Sequence, residues 1–391
     1  MQHTNNSRAF SLKLRTEVVF GGGRIEEIGS LTHPYSRNVL LVTDKNLAGT
    51  GAIQKAREAL EALNITVTLY ENAKENPTES DAEECKEVAA SAGITGMVAI
   101  GGGSVIDTAK GANFLLTNGG KMRDYRGYGH NDDALLPLIA VPTTAGTGSE
   151  VQAYALITHN ETHQKMACGT ASCAPAIALL DPNLLLTCPP SVIATAGIDA
   201  LTHAVESYFS KTRNAISNLY SMAAAEMIDA GLRDEVGELS EIERLEEMSL
   251  GACYAGIAID HSMLGGAHAS ANPITAHFPI SHGQAVGLMM PHVMQYNAKT
   301  HSAVNAVLTL WLKQLNWVDR EQRGYNPGSV FREVWHQLLL TLQLKTHLTE
   351  LGIAEDDLPG LSEEAAAQWT AQHNPVPLDK AAFLEIYRAA L

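Results

Sequence analysis

The chain has 391 residues, enough for two domains or one large one. Its 45% hydrophobic and 18% charged content supports a substantial core and argues against long disorder. A net charge of −16 argues against nucleic acid as a partner, because phosphate binding needs a basic surface; the charge serves solubility instead.

Taken in chain order, the first half alternates β-like runs with helical stretches. Val18–Phe20 is a strand entering the turn Gly21-Gly22-Gly23. Asn38–Thr43 (NVLLVT) is a continuous apolar run of the kind found in buried parallel strands. A helix from about Ile53 to Leu63 follows, then a strand at Ile65–Tyr70 and an acidic, alanine-rich helix at Glu79–Ala92. Met97–Ile100 runs into Gly101-Gly102-Gly103, and Leu136–Val141 runs into Pro142-Thr143-Thr144. Ala176–Leu180, closed by Asp181-Pro182, reads as the last strand. Repeated β-turn-α units predict a parallel sheet with helices on both faces. From about Thr187 alanine, leucine and methionine dominate. Val304, Val307, Leu308, Trp311, Leu312 and Leu315 follow helical spacing. The expected organisation is therefore an α/β domain over 1–187 and an all-helical domain over 188–391.

Cys85, Cys168, Cys173, Cys188 and Cys253 form no CxxC pair and are odd in number, which argues against a disulfide framework. A reducing cytoplasm fits best. The run Met1–Ser7 is polar, unlike a signal peptide, and no apolar stretch approaches the roughly 18 residues of a membrane span.

Ile100 to Asp107 (IGGGSVID) leads a strand through glycines into a helix start. Glycines let backbone N–H groups approach a pyrophosphate, and a helix N-terminus favours negative charge. Ser104 and Asp107 have the spacing of a capping box. Ile106 occupies the last glycine position of a GxGxxG fingerprint, so the run also reads as an ordinary tight turn before a capped helix. Asp44 follows the strand NVLLVT, where a carboxylate can accept hydrogen bonds from adenosine ribose hydroxyls. It would repel a 2′-phosphate and favour NAD over NADP, but an aspartate caps a turn equally well. Pro142 to Glu150 is rich in hydroxyls, either lining a cofactor or forming a polar turn.

Asp199 and His203 stand at i, i+4 and share one helical face; His268 and His282 follow, separated by Pro273 and Pro279 and so assigned to different segments. One carboxylate and three imidazoles make a ligand set for a divalent transition metal. The competing reading is a surface Asp–His pair in a histidine-rich stretch that also holds His261, His277 and His292.

Beyond these readings, the chain resembles the iron-containing (group III) alcohol dehydrogenases from Phe20-Gly21-Gly22-Gly23 almost to its end. The match runs through Val42-Thr43-Asp44, Glu75-Asn76-Pro77-Thr78, Gly101–Ser104 with Asp107 and Lys110, and Pro142-Thr143-Thr144 with Gly146-Thr147 and Ser149-Glu150. It continues through Asp181-Pro182, the Asp199/His203 segment, His282-Gly283 and Leu288 to Val293 (LMMPHV). The resemblance implies a Rossmann-like, dehydroquinate synthase-like α/β domain followed by a helical metal-binding domain, with NAD(P) in the cleft between them. It implies Asp199, His203, His268 and His282 as metal ligands. It implies cofactor contacts from Asp44, Asn76, Gly102, Gly103, Ser104, Asp107, Thr143, Thr144, Thr147, Ser149 and Lys165. NAD is expected over NADP. The ligand set suits Fe²⁺ or Zn²⁺, and the absence of sulfur favours iron.

One departure from the family stands out. Many members carry a further histidine four residues after the third ligand, a candidate proton carrier; here that position is Asn272. Asparagine cannot exchange a proton near neutral pH. Proton transfer would then run through water and a ribose hydroxyl, or through His277.

The activity implied is reversible oxidation of a small alcohol to an aldehyde or ketone by hydride transfer, with the metal polarising the substrate oxygen. A homodimer or larger assembly is expected. The alternatives are a metal-independent maleylacetate reductase-like enzyme, against which the complete ligand set argues, and a catalytically silent nucleotide-binding homologue.

Overall fold

The computed structural model describes Phe10, residues 13–233 and residues 240–391; the run Met1–Ser7 lies outside the described residues. The chain divides into two compact units, one spanning Lys13–Cys188 and one containing Pro189–Leu391.

The first unit contains strands β1 (Glu17–Phe20), β2 (Asn38–Val42), β3 (Thr66–Tyr70), β4 (Gly96–Gly101), β5 (Gly127–Tyr128), β6 (Leu138–Pro142), β7 (Tyr154–Thr158), β8 (Lys165–Gly169) and β9 (Ile177–Leu180). Its helices are α1 (Ile28–Thr32), α2 (Lys45–Ala48), α3 (Gly51–Glu61), α4 (Glu79–Ala92) and α5 (Gly103–Asn118). Six strands form a parallel sheet in the order β1-β9-β6-β4-β2-β3. Side chains alternate between two apolar layers. Val39, Leu41, Val98, Ile100, Ile139 and Val141 join Ile53 and Leu60 of α3 on one face. Leu40, Val42, Met97, Ala99 and Ala140 join Cys85 and Ala89 of α4 and Ile106 and Ala109 of α5 on the other. A strand covered on both faces has no polar side to show, which is why NVLLVT carries no alternation.

The chain order reverses at β2. β3 lies on one side of it, and β4, β6 and β9 extend on the other. Such a switch point opens a crevice at the carboxyl ends of its two strands, the usual ligand position in an open α/β sheet. Asp44 follows β2 there, and Gly102 follows β4.

Two features differ from the sequence reading. Ser104 and Asp107 do not form a capping box: α5 begins at Gly103 with Gly102 as its cap residue and no side-chain cap. The box is at α4 instead, where Thr78 Oγ1 accepts from Asp81 N and the Asp81 carboxylate accepts from Thr78 N. The second is a small sheet in the order β5-β8-β7, in which β5 precedes β6 and the antiparallel pair β7 and β8 falls between the hydroxyl loop and β9. Its β8 sequence, KMACG, has no β-branched residue and gives little strand signal.

The second unit is helical throughout its described residues. Its helices are α6 (Pro190–Phe209), α7 (Ala215–Leu232), α8 (Ile242–Asp260), α9 (Gly266–His277), α10 (His282–Thr300), α11 (Ser302–Gln314), α12 (Pro327–Thr341), α13 (Leu358–Ala366) and α14 (Lys380–Ala390). α6 is the central helix, packed against α7, α8 and α10 and buried at every position from Gly197 to Ser207. His268 and His282 do come from different helices, but Pro273 lies inside α9; the break falls at residues 278–281. A Cβ on Gly283 would collide with the Thr195 carbonyl of α6. Only glycine lets the start of α10 approach α6 so closely, and this brings His282 beside Asp199. No helix among the described residues is long and apolar enough to cross a membrane.

Candidate functional site

Burying α6 places the Asp199 carboxylate and the His203 imidazole in the interior, where each needs a partner. The partners converge on one atom. Asp199 Oδ1 lies 3.4 Å from His203 Nε2, 3.3 Å from His268 Nε2 and 3.9 Å from His282 Nε2. The His203 and His268 rings stack with centroids 4.8 Å apart, and those of His268 and His282 are 5.4 Å apart. Asp199, His268 and His282 each offer a donor atom, all within 4.8 Å of one another.

Two observations test whether a metal fits. Ligands about 2.1 Å from a tetrahedral ion stand roughly 3.4 Å apart, close to the spacings around Asp199 Oδ1. Asp199 Oδ1 and His268 Nε2 are also both buried without a properly aligned hydrogen bond, although they are neighbours. Two buried lone-pair atoms facing each other are costly unless a cation lies between them. The residues fit the group. Burial opposes ionisation of Asp199, but the imidazoles of His203, His282 and His268 outweigh it and hold its carboxyl well below the usual range.

Sequence reasoning left the support of the ligands unassigned. It comes from Glu206, three residues after His203 on α6. Glu206 Oε2 lies 2.6 Å from His268 Nδ1, and Glu206 Oε1 accepts from Ala267 N at 2.6 Å. A carboxylate on Nδ1 holds the ring proton there and turns Nε2, with its lone pair, toward Asp199. Burial disfavours a charged His268, yet without an ion Glu206 and Asp199 outweigh it and raise the imidazole to about 9, so that Nε2 then carries a proton that a bound metal would displace. The signal was present: Asp199, His203 and Glu206 are spaced at i, i+4, i+7 on one helical face.

Asn272 and His277 are engaged elsewhere. Asn272 Nδ2 donates to Gln368 Oε1 at 3.1 Å, and His277 Nε2 lies 2.7 Å from Glu364 Oε1 in a half-exposed pair. His277 does not belong to the group around Asp199.

In the α/β unit, the Asp44 carboxylate caps α2, accepting from Asn46 N and Leu47 N at 2.8 and 3.2 Å. Gly103 allows the hydroxyl loop to approach α5, because a Cβ there would strike the Thr147 side chain, whereas a Cβ on Gly102 would only touch Thr144. Ser104 Oγ accepts from Asn76 N at 3.3 Å, with Asn76 at φ 51. Thr143 N donates to Gly101 O, tying the loop to the end of β4.

The loop is held from beneath by Lys110. This fully buried lysine donates from Nζ to the carbonyls of Ser149, Gln152 and Tyr154 at 2.7–2.8 Å. Asp107 lies close by; burial pushes its carboxyl up to about 6, against the pull of Lys110 and Lys165. Burial also pushes Glu150 up to about 7. Lys165 opens β8, in register with Thr158 of β7. All five cysteines are free.

Comparison with known proteins agrees with this arrangement. The iron-containing alcohol dehydrogenase family model matches residues 15–182, and the Fe-containing alcohol dehydrogenase C-terminal model matches residues 193–391. Alcohol dehydrogenase 4 of Schizosaccharomyces pombe is 32% identical, over 91% of this chain and 82% of its own length. Lactaldehyde reductase of Escherichia coli K12 is 30% identical, over 95% and 97%. The crystal structure of a 1,3-propanediol oxidoreductase superimposes with a TM-score of 0.93 at 28% identity, covering 98% of this chain and all of the other. The chain belongs to the iron-containing alcohol dehydrogenase family of oxidoreductases.

Proposed function

We propose that this protein is a metal-dependent, NAD-linked alcohol dehydrogenase that interconverts a small alcohol and its aldehyde or ketone by hydride transfer. The observation that carries the reading is the convergence of three imidazole Nε2 atoms on Asp199 Oδ1, with two of the facing atoms buried and lacking an aligned hydrogen bond. Asp199, His203, His268 and His282 would hold the ion, Fe²⁺ by preference over Zn²⁺. When bound, it supplies Lewis-acid polarisation of the substrate oxygen.

The remaining work falls to the protein's own side chains. Glu206 keeps the His268 proton on Nδ1 and the ring fixed. The turn Gly102-Gly103-Ser104 offers the open N-terminus of α5 to the cofactor pyrophosphate. Asp44, at the switch point, accepts from the adenosine ribose and disfavours NADP. Asn76, Asp107, Thr143, Thr144, Thr147, Ser149 and Lys165 complete the cofactor surface, with Lys110 as the scaffold of its loop. Asn272 cannot move a proton, so His277, paired with Glu364, is assigned that role. The assembly is a homodimer or larger.

Metal content and NAD-linked turnover on one anaerobically purified sample test the reading. About one Fe or Zn per chain, with turnover on alcohols or aldehydes lost on chelation and in D199A, is the expected outcome. Metal-free protein that still turns over would favour a maleylacetate reductase-like enzyme. Bound metal without turnover on any substrate would favour a silent homologue, and Asn272→His would be the first reversion to make.

A further inference from the structure

Away from Asp199 and its histidines, the helical unit gathers a second set of basic side chains. A cavity of about 380 Å³ is lined by His292 of α10, Arg332 and His336 of α12, and His347 in the segment before α13. The hydroxyl-bearing residues Ser329 and Thr346 share the lining. A second cavity of about 320 Å³ shares His292 and Ser329 with it. One guanidinium and three imidazoles thus meet in a chain with 27 basic and 43 acidic residues.

Their charges are only partly balanced locally: His347 Nδ1 lies 3.7 Å from Glu350 Oε2 and 3.0 Å from Thr346 Oγ1, which leaves its Nε2 for a ligand. Arg332 is exposed and forms no ion pair among the described residues. His292 Nδ1 is buried with no hydrogen-bond partner. Burial, then Arg332, His347 and His336, push the His292 imidazole down to about 4, as expected where cations crowd one another. The nearby carboxylates are mostly committed. Glu350 Oε2 accepts from Thr346 N and His347 N at 3.0 Å. In the neighbouring cavity Glu385 pairs with Lys299 at 3.1 Å. Glu333 also lines the first cavity, next to Arg332 on α12, and offsets one charge. Ser329 lies in the first turn of α12, the positive end of that helix.

We infer that this cavity is a binding site for a small phosphate-type dianion, gripped by the Arg332 guanidinium with His336, His347 and the Ser329 and Thr346 hydroxyls. A guanidinium fork matches two oxygens of a phosphate, and hydroxyl and imidazole N–H donors suit the others. The site is independent of the metal centre and of the dehydrogenase reading.

Calorimetric titration of the full chain with inorganic phosphate, at constant ionic strength, tests it. Saturable binding is expected, weakened at least tenfold in Arg332→Gln and in His336→Asn. Arg57→Gln, which removes an exposed arginine paired with Glu61 in the other unit, should leave it unchanged. Phosphate held at the glycine turn before α5 would not respond to Arg332→Gln, so the two locations separate. Absence of saturable binding, binding that survives both cavity variants, or an equal loss in Arg57→Gln would each overturn the inference. Citrate binding as tightly as phosphate would overturn the phosphate class.

Discussion

Replacing Glu206 by glutamine separates support of the metal ligands from support of the fold. Glutamine keeps the volume and a carbonyl oxygen for Ala267 N, which now donates to Glu206 Oε1 at 2.6 Å. It replaces the carboxylate oxygen 2.6 Å from His268 Nδ1 with an amide N–H₂. That group can only donate, so the ring must accept at Nδ1 and carry its proton on Nε2, the atom aimed at Asp199. Loss of such an outer carboxylate costs roughly 10–100-fold in metal affinity, or about 1.4–2.7 kcal/mol. Competition against a chromophoric chelator, on wild type and E206Q loaded with the same metal, measures this directly. Thermal unfolding of the metal-free forms serves as the control and should change little, because no buried backbone donor is orphaned. Metal affinity within twofold of wild type would refute the tautomer argument. A fall in metal-free stability with unchanged affinity would reassign Glu206 to the fold alone.

Four further outcomes are expected. Gly283→Ala should push α10 from the Thr195 carbonyl, lowering stability by about 1–3 kcal/mol and weakening metal retention, as read by thermal melts with and without metal; an unchanged melt contradicts the close approach. Asp44→Ala should lower the preference for NAD over NADP in kcat/KM while costing about 1 kcal/mol through the lost α2 cap; an unmoved preference removes Asp44 from the ribose site. His277→Ala should delete one limb of the pH–rate profile, and an unchanged profile removes His277 as proton carrier. Asp107 titrates near 6 when folded and near 3.8 when unfolded, so its folded form binds more protons between those values. Its contribution to stability therefore falls as pH rises from about 4 to 6 and is flat above. Asp107→Asn should flatten that slope in denaturant titrations, and a parallel pH dependence would contradict it.

What could be read from sequence follows from how local each signal is. The strand at β2 was legible because burial on both faces leaves a continuous apolar run. The helix Glu79–Ala92 was legible because its cap, its alanines and Gly93 are all local. Asp199 and His203 were legible because one helical turn brings them together. Glu206 belongs to the same periodicity, but its meaning lies in His268, 62 residues further on, and no local pattern connects them. The Ser104/Asp107 spacing misled for the converse reason. It has the form of a cap, but the helix starts at Gly103, because the backbone there must pass close to Thr147 in a loop more than forty residues away. The β5-β8-β7 sheet escaped because β5 is two residues long and β8 is built from Lys, Met, Ala, Cys and Gly.

The same distinction between local and distant partners separates structural from functional polarity in the interior. Asp181 is fully buried and its carboxylate is satisfied, accepting from Gly23 N and Ile25 N at 2.9 Å. Asn297 and Asn374 exchange side-chain hydrogen bonds at 3.0 and 2.8 Å, and Asp229 accepts from Trp317 Nε1 at 3.0 Å. These groups order the fold and need nothing further. Glu206 belongs with them, since both of its oxygens are in use. Asp199 Oδ1 and His268 Nε2 do not: they are held face to face, His268 by the satisfied Glu206, and left without an aligned hydrogen bond. Other buried polar atoms, such as Asp107 Oδ1 and His292 Nδ1, also lack a partner, but Asp199 Oδ1 and His268 Nε2 lie 3.3 Å apart and face each other, and apolar residues could replace such a pair at little cost in stability. Their persistence as facing acceptors is what a cation requires, and it distinguishes this cluster from the many other histidines of the chain.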